Sequence, residues 1–479
     1  MTLWAKGEAH EPTIARFEAA RNAALDAELA RYDVLGSLAH ARMLLRVGLL
    51  SHDDWQALDV ALRAMLSEAQ AGALQPTPAD EDIHTLVERL LVERVGDAGK
   101  RLHTGRSRND QALVDLRLYA KDALLRLAEQ TLATAQIFAS FARAHEWAPM
   151  PGYTHMQRAM LSSVGLWASG YAEALLDDLI ALHAAFALND QSPLGSAAAY
   201  GVPLPLDRAY VAESLGFGSL HHNSLTAANA RGKTESAIIQ ALSLIMLDLS
   251  KWAQDVLIFT TSEFGFFSVP VELCDGSSIM PQKHNLSALE LVRARAHTVI
   301  GLQAQALQML VGLPSGYNMD YQETKRPLME AIALTEGSLE VIGLFAAALR
   351  PQQERLRLAC AAELFATDRA YELAAHGMPF RDAYRVVAAD PASQEPGDLA
   401  ARLRARTHAG TTGALDLDGL DVRIAAQQAD WRTRGQAFAA ALRALASGEL
   451  APPDAANTHS SSLSASGTAA FMHEIAPGI

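Results

Sequence analysis

The chain has 479 residues, 50% of them hydrophobic and 20% charged, a composition that excludes a disulfide-stapled miniprotein, a collagen-like repeat and a disordered chain. Lys and Arg number 40 against 54 Asp and Glu, a formal charge of −14, which is the wrong sign for a general nucleic-acid binder. Two cysteines, Cys274 and Cys360, suit neither a disulfide framework nor a zinc site, so a cytoplasmic protein without metal is expected.

Met1 to Pro12 lacks the apolar stretch of a secretory leader, and the segment before residue 105 reads as shorter helices. The polar string His103-Thr104-Gly105-Arg106-Ser107-Arg108-Asn109-Asp110-Gln111 comes next. From Leu113, apolar or small residues recur at Leu116, Ala120, Leu124, Leu127, Thr131, Ala135, Phe138 and Phe141, which predicts one amphipathic helix of about thirty residues. It stops before Pro149-Met150-Pro151-Gly152, and a second helix is expected from about Gln157 to Leu188. A third covers about Thr234 to Phe264. The breaker-rich stretch Phe267 to Asn285 is longer than a simple connection needs, a length typical of functional loops.

A fourth helix is expected from Leu286 to about Leu310, and a fifth from about Glu323 to Arg350, with Pro327 tolerable only in its first turn. Ala296 to Met319 carries no charge but includes Gln303, Gln305, Gln308, Pro314 and Asn318, so it reads as an interior helix and loop and not as a membrane span. Another helical group follows, broken at Gly377-Met378-Pro379. The expected fold class is all-α with three domains: an N-terminal helical domain over 1–107, a central bundle of five long helices over 108–350 carrying the 267–285 loop, and a C-terminal helical domain over 351–446. A partly mobile tail covers 447–479. Long helices with wide apolar faces bury them poorly in one thin bundle, so a multi-chain helical core is expected.

Fingerprints for dinucleotides, nucleoside triphosphates, catalytic zinc and the serine-hydrolase elbow are all missing, so no cofactor is expected. What remains are polar clusters at the breaks between helices, where a rigid scaffold can aim side chains. Thr104 to Gln111 opens a helix, a favourable setting for a carboxylate; capping by Ser107, Asn109 or Asp110 with solvated arginines is the plainer reading. Gly152 to Arg158 offers the hydroxyl of Thr154 and the imidazole of His155, although a lone turn histidine is more often structural. In Gly276-Ser277-Ser278-Ile279-Met280-Pro281-Gln282-Lys283-His284-Asn285, two hydroxyls precede a lysine and an asparagine suited to a carboxylate whose charge grows during reaction.

This last string, Gly-Ser-Ser-x-Met-Pro-x-Lys-x-Asn, resembles the signature loop of the fumarase/aspartase superfamily, and within it the chain is similar to the argininosuccinate lyases. Thr104 to Gln111 and Pro151 to Arg158 resemble two further signatures, as do Glu81-Asp82-Ile83-His84 and the stretch Ser315 to Lys325. The resemblance implies a homotetramer with active sites shared between chains, no cofactor or metal, a small dicarboxylate substrate, and neither nucleic acid nor membrane as partner. It further implies a β-elimination giving arginine and fumarate, with Ser277 as base, His155 as acid polarised by Glu290, and Lys283 stabilising the carbanion; the acid and base roles are assigned both ways in the family. Ser107, Arg108, Asn109, Thr154, Asn285, Tyr317, Gln322 and Lys325 would hold the substrate. Relatives usually carry Arg-Asp-Phe where this chain has Arg231-Gly232-Lys233. Two alternatives stand beside this reading: a lyase for another N-substituted aspartate, and a crystallin-like structural protein.

Overall fold

The computed structural model describes residues 11, 13, 14, 17, 23–77, 80, 82–392 and 396–448. Three helices open it: α1 Ala23–Arg46, α2 His52–Gln70 and α3 Ile83–Val95. Ser51 and Asp82 cap the second and third by accepting backbone N–H bonds, each satisfying a donor that the helix start leaves unpaired. Their apolar faces enclose Leu35, Leu38, Leu58, Leu62 and Leu91 together with Val114 and Leu118 of the next helix, so this unit is fastened to the start of the bundle.

The bundle consists of α4 Arg108–Ala144, α5 Val164–Asn189, α6 Lys233–Phe259, α7 Ser287–Gln308 and α8 Lys325–Ala348. These are the five long helices expected from the 3.6-residue periodicity. Helix α4 begins in a capping box, with Ser107 and Asp110 exchanging side-chain and backbone bonds. Pro327 lies in the first turn of α8, where its missing N–H has no intrahelical partner to lose. Helices Lys233–Phe259 and Met319–Ala348 are long and apolar enough to cross a membrane on length and composition alone. In this fold 61% and 44% of their most apolar stretches are buried within the bundle.

Two expectations need correction. Residues from Gln157 do not begin a helix: β1 Pro149–Thr154 and β2 Gln157–Ser163 form an antiparallel hairpin, and helix α5 starts only where the Ser163 hydroxyl accepts the Leu166 N–H at 3.1 Å. The cap fixes the boundary, because Ser163 is held in extended backbone. Nor does the chain from 351 to 446 form one separate domain. Short helices, among them Gln353–Ala359 and Ala366–Ala375, cluster beside the hairpin, but the last helix, α9 Leu417–Ser447, returns along α4. Its Leu420, Ile424 and Trp431 join the bundle core, while Phe438, Leu442 and Leu445 join the N-terminal core. The tail from residue 449 onward lies outside the described residues.

Trp252 sits at the centre of the bundle with its ring 5.4 Å from Phe138 and 6.4 Å from Trp167. Trp252→Ala leaves a large cavity and should cost about 3–5 kcal/mol, read as a clear fall in the thermal unfolding midpoint.

Candidate functional site

The helices run the length of the molecule and sort the polar clusters into two groups. Helix α6 starts next to Arg231, which bonds Gln322 just before α8, and it ends at Phe259, whose ring lies 6.1 Å from Tyr153 of the hairpin. Helix α7 runs antiparallel to α6, since Gln254 meets Arg293 and Gln240 meets Gln303. Phe267–Ser268 pairs with Arg350–Pro351 just past the end of α8. One end of the bundle therefore holds Ser107, Arg108, Asn109, Tyr317, Gln322 and Lys325. The opposite end holds Thr154, His155, Ser277, Lys283, Asn285 and Glu290. At 1.5 Å per residue, the 27 residues of α6 separate the two sets by roughly 40 Å.

At the first end a pocket is lined by Asp26, Asp82, His84, Arg108, Asp115, Met319, Gln322 and Lys325. Ser107 serves as the helix cap with Asn109 N–H on its hydroxyl at 3.3 Å, which agrees with the plainer reading of that cluster. The arginines are not merely solvated: Arg106 is buried against the Ser37 hydroxyl at 3.0 Å and Arg108 pairs with Asp82. Lys325 is buried against Asp26, and Gln322 donates to the Tyr317 hydroxyl at 3.0 Å.

Below this pocket His84 bonds Asp33 and lies 3.6 Å from Asp115. Burial alone would lower the imidazole pKa, but Asp33 and then Asp115 outweigh it and lift His84 to about 9. Burial and the negative charge of Asp33 push the Asp115 carboxyl well above its ordinary range. The ligand atoms of the three side chains all lie within 4.8 Å of one another, and His84 joins the two carboxylates in one buried cluster.

Asp26, Asp33 and Asp115 escaped the sequence reading of the site. The signal was present: Asp26 and Asp33 lie seven residues apart on the face of α1 that carries Leu29 and Ala30, and both are buried. Glu81 lies outside the described residues.

At the opposite end the hairpin is closed by a two-residue turn, His155 and Met156, with φ of 53° and 62°. Thr154 pairs with Gln157 across it. Both turn residues occupy left-handed backbone that such a tight hairpin demands and that glycine or asparagine normally supplies. Such strain clusters at functional sites, and here it holds an exposed imidazole at the tip. Tyr153 anchors the hairpin among Phe259, Phe264 and Phe266.

The Ser277 loop is tied at its neck by two backbone bonds between Asp275 and Asn285, at 2.9 and 2.8 Å. Asn285 also reaches the Gly276 carbonyl at 3.5 Å. Inside the loop the Ser277 oxygen accepts the Met280 N–H at 3.2 Å and the Ile279 N–H at 3.4 Å, which are donors that favour charge on that oxygen. Lys283 is exposed, and Glu290 occupies the first turn of α7 in a cleft with Tyr171, Asp255, Arg293 and His297. Among the described residues no hydrogen bond or ion pair joins His155 to Ser277 or Glu290 within the chain.

The sequence matches a family described as Lyase over residues 9–301. Argininosuccinate lyase of Sorangium cellulosum (strain So ce56) is 44% identical over 422 residues, covering 88% of this chain and 98% of that protein. Argininosuccinate lyase of Thermotoga neapolitana (strain ATCC 49049 / DSM 4359 / NBRC 107923 / NS-E) is 38% identical over 386 residues, 81% of this chain and 97% of that one. Among solved structures, EDDS lyase in complex with formate has the same fold, with a TM-score of 0.79 and 22% identity, covering 93% of this chain and 96% of that one.

Two outcomes follow from the geometry. Met156→Gly relieves one left-handed residue and should raise stability by about 0.5–1 kcal/mol, measured by thermal unfolding. Because the folded pKa of His84 is raised, its stabilisation is complete below the ordinary value of 6.5 and is lost as pH rises through about 9. The fall in stability across that window should be on the order of 3 kcal/mol, and His84→Gln should flatten it while lowering stability at pH 6.5.

Proposed function

This chain belongs to the argininosuccinate lyase family within the fumarase/aspartase superfamily of lyases, and from that premise we propose that it cleaves argininosuccinate into L-arginine and fumarate by anti β-elimination, as a step of arginine biosynthesis. The observation that carries this reading is 44% identity extending over 98% of a curated relative of that activity. The complete Ser277, Lys283 and Asn285 string agrees with it.

In the proposed reaction Ser277 removes a proton from the succinyl carbon, the electron pair becomes the new double bond, and the C–N bond breaks. His155, polarised by Glu290, protonates the departing nitrogen. The proton removed lies beside a carboxylate and is weakly acidic, so fixed positive charge has to stabilise the carbanion. Lys283, Asn285 and the N-terminus of α4 at Ser107, Arg108 and Asn109 suit that task. The N–H bonds received by Ser277 support its role as base, since they favour the anionic oxygen. Thr154 orients the succinyl half, and Tyr317, Gln322 and Lys325 hold the amino-acid half. The chemistry calls on no cofactor.

We further propose that the active enzyme is a cytoplasmic homotetramer whose sites lie between chains. Two observations support this. The residues in question occupy opposite ends of rods roughly 40 Å long, and Ile180, Leu247, Leu291, Ile300, Leu307 and Leu344 leave apolar surface exposed along α5 to α8.

Ser277→Ala should leave the oligomer intact by light scattering and lower fumarate release from argininosuccinate about a thousandfold or more. An unchanged rate removes Ser277 from the mechanism. If sites are shared, Ser277→Ala and Arg108→Gln chains, both impaired alone, should regain activity when dissociated and reassembled together; no recovery would refute the shared site.

A further inference from the structure

Arg231 precedes α6 and is buried, although nothing in the proposed chemistry uses it. Its guanidinium donates to Gln322 Oε1 at 3.1 Å and lies 5.6 Å from the centre of the Tyr317 ring. Two residues earlier, Asn229 Oδ1 accepts the Gly316 N–H at 2.8 Å. The stretch Asn229 to Arg231 thus braces the Tyr317 loop at two points. Gly232 fixes the brace in turn, because it takes a left-handed φ of 77° and a Cβ there would stand 2.3 Å from Leu310.

We infer that Arg231 is a positioning residue that sets the hydrogen-bond polarity of the pocket wall, so that Tyr317 presents a donor and the wall selects a carboxylate oxygen of the ligand. This rests on the reading that Tyr317 and Gln322 hold the amino-acid half of the substrate. Arginine has five donors and no acceptor, so Gln322 can face it only with its oxygen. The planar amide then turns its NH₂ toward Tyr317, whose oxygen accepts at 3.0 Å. With that oxygen engaged, the phenolic hydrogen has to point elsewhere. It rests on Met319 Sδ at 3.5 Å, a weak acceptor that an oxygen anion readily displaces. Met319 and Gln322 line the pocket beside Arg108 and Lys325, so the displaced hydrogen is directed at bound ligand. An ammonium or guanidinium group would meet a donor there and be rejected.

Steady-state kinetics on the full-length assembled enzyme test the relay. Arg231→Gln can present either a donor or an acceptor to Gln322, so it should raise KM for argininosuccinate about tenfold while kcat changes less than about threefold. Arg231→Lys, which can only donate, should recover most of that loss. Tyr317→Phe should raise KM about tenfold in the native background but less than about twofold in Arg231→Gln, because the two act through one bond. Equal losses in the Gln and Lys variants, or losses that multiply in the double variant, would overturn the relay. Hydrogen exchange needs no substrate: Arg231→Gln should speed exchange across Tyr317 to Gln322 and leave α6 protected, and unchanged rates there refute the brace. Absence of fumarate from the native enzyme would instead sink the substrate reading, and the exchange result would still decide whether Arg231 positions the Tyr317 loop.

Discussion

A helix of 27 residues cannot bring its own two ends together, and α6 is flanked by four others of comparable length. Backbone bonds within each rod and close packing between rods make the bundle stiff over roughly 40 Å. Every polar cluster is therefore committed to one end or the other by its position along the chain. The breaks between rods are the places where backbone can turn side chains outward, and the proposed chemical residues occupy such breaks or the first turn of the helix that follows. For the proposed site, association of chains is the remaining route by which the two sets could meet, and the apolar residues exposed along α5 to α8 would give it a driving force.

The two ends differ in how their charges are handled. Near Arg108 the charges are matched and mostly buried: Lys325 with Asp26, the half-buried Arg108 with Asp82, His84 with Asp33 and Asp115. Removing one member of such a pair leaves an uncompensated charge in low dielectric, so the arrangement is fixed as a unit. Near His155 the corresponding groups are exposed, and their geometry comes from backbone: a turn with two positive φ values and a loop tied at Asp275 and Asn285. A formal charge of −14 thus does not count against the proposed dicarboxylate substrate, because local placement of cations and not net charge decides such binding.

Much of this was legible in the sequence. The long helices could be read because apolar residues such as Leu116, Ala120, Leu124 and Leu127 repeat on one face, and periodicity is a local property. The hairpin could not, because its turn carries His155 and Met156 where Asn and Gly would have announced it. The path of α9 was hidden for another reason: a helical pattern states which face is apolar but not which neighbour covers it, and Trp431 and Leu442 end in two different cores. The candidate residues stood out because their order in short strings is itself a signal; Asp26, Asp33 and Asp115, which pair with Lys325 and His84 from isolated positions, belong to no such string.

The contrast between the ends also bears on which half of the site reads the ligand and which half reacts. Selection by hydrogen-bond polarity requires donors and acceptors that cannot reorient, since a side chain free to flip would accept either kind of partner. The relay from Arg231 through Gln322 to Tyr317 meets that requirement, being buried at its origin and built on a group that can only donate. Elimination makes the opposite demand: water has to leave around the base as charge develops, so that part of the site has to close over its substrate. An exposed loop tied only at its neck can move as a body without disturbing the bundle beneath it. Rigidity and mobility thus fall at opposite ends of the same rods, and in the proposed shared site the ends of different chains would combine them in one pocket.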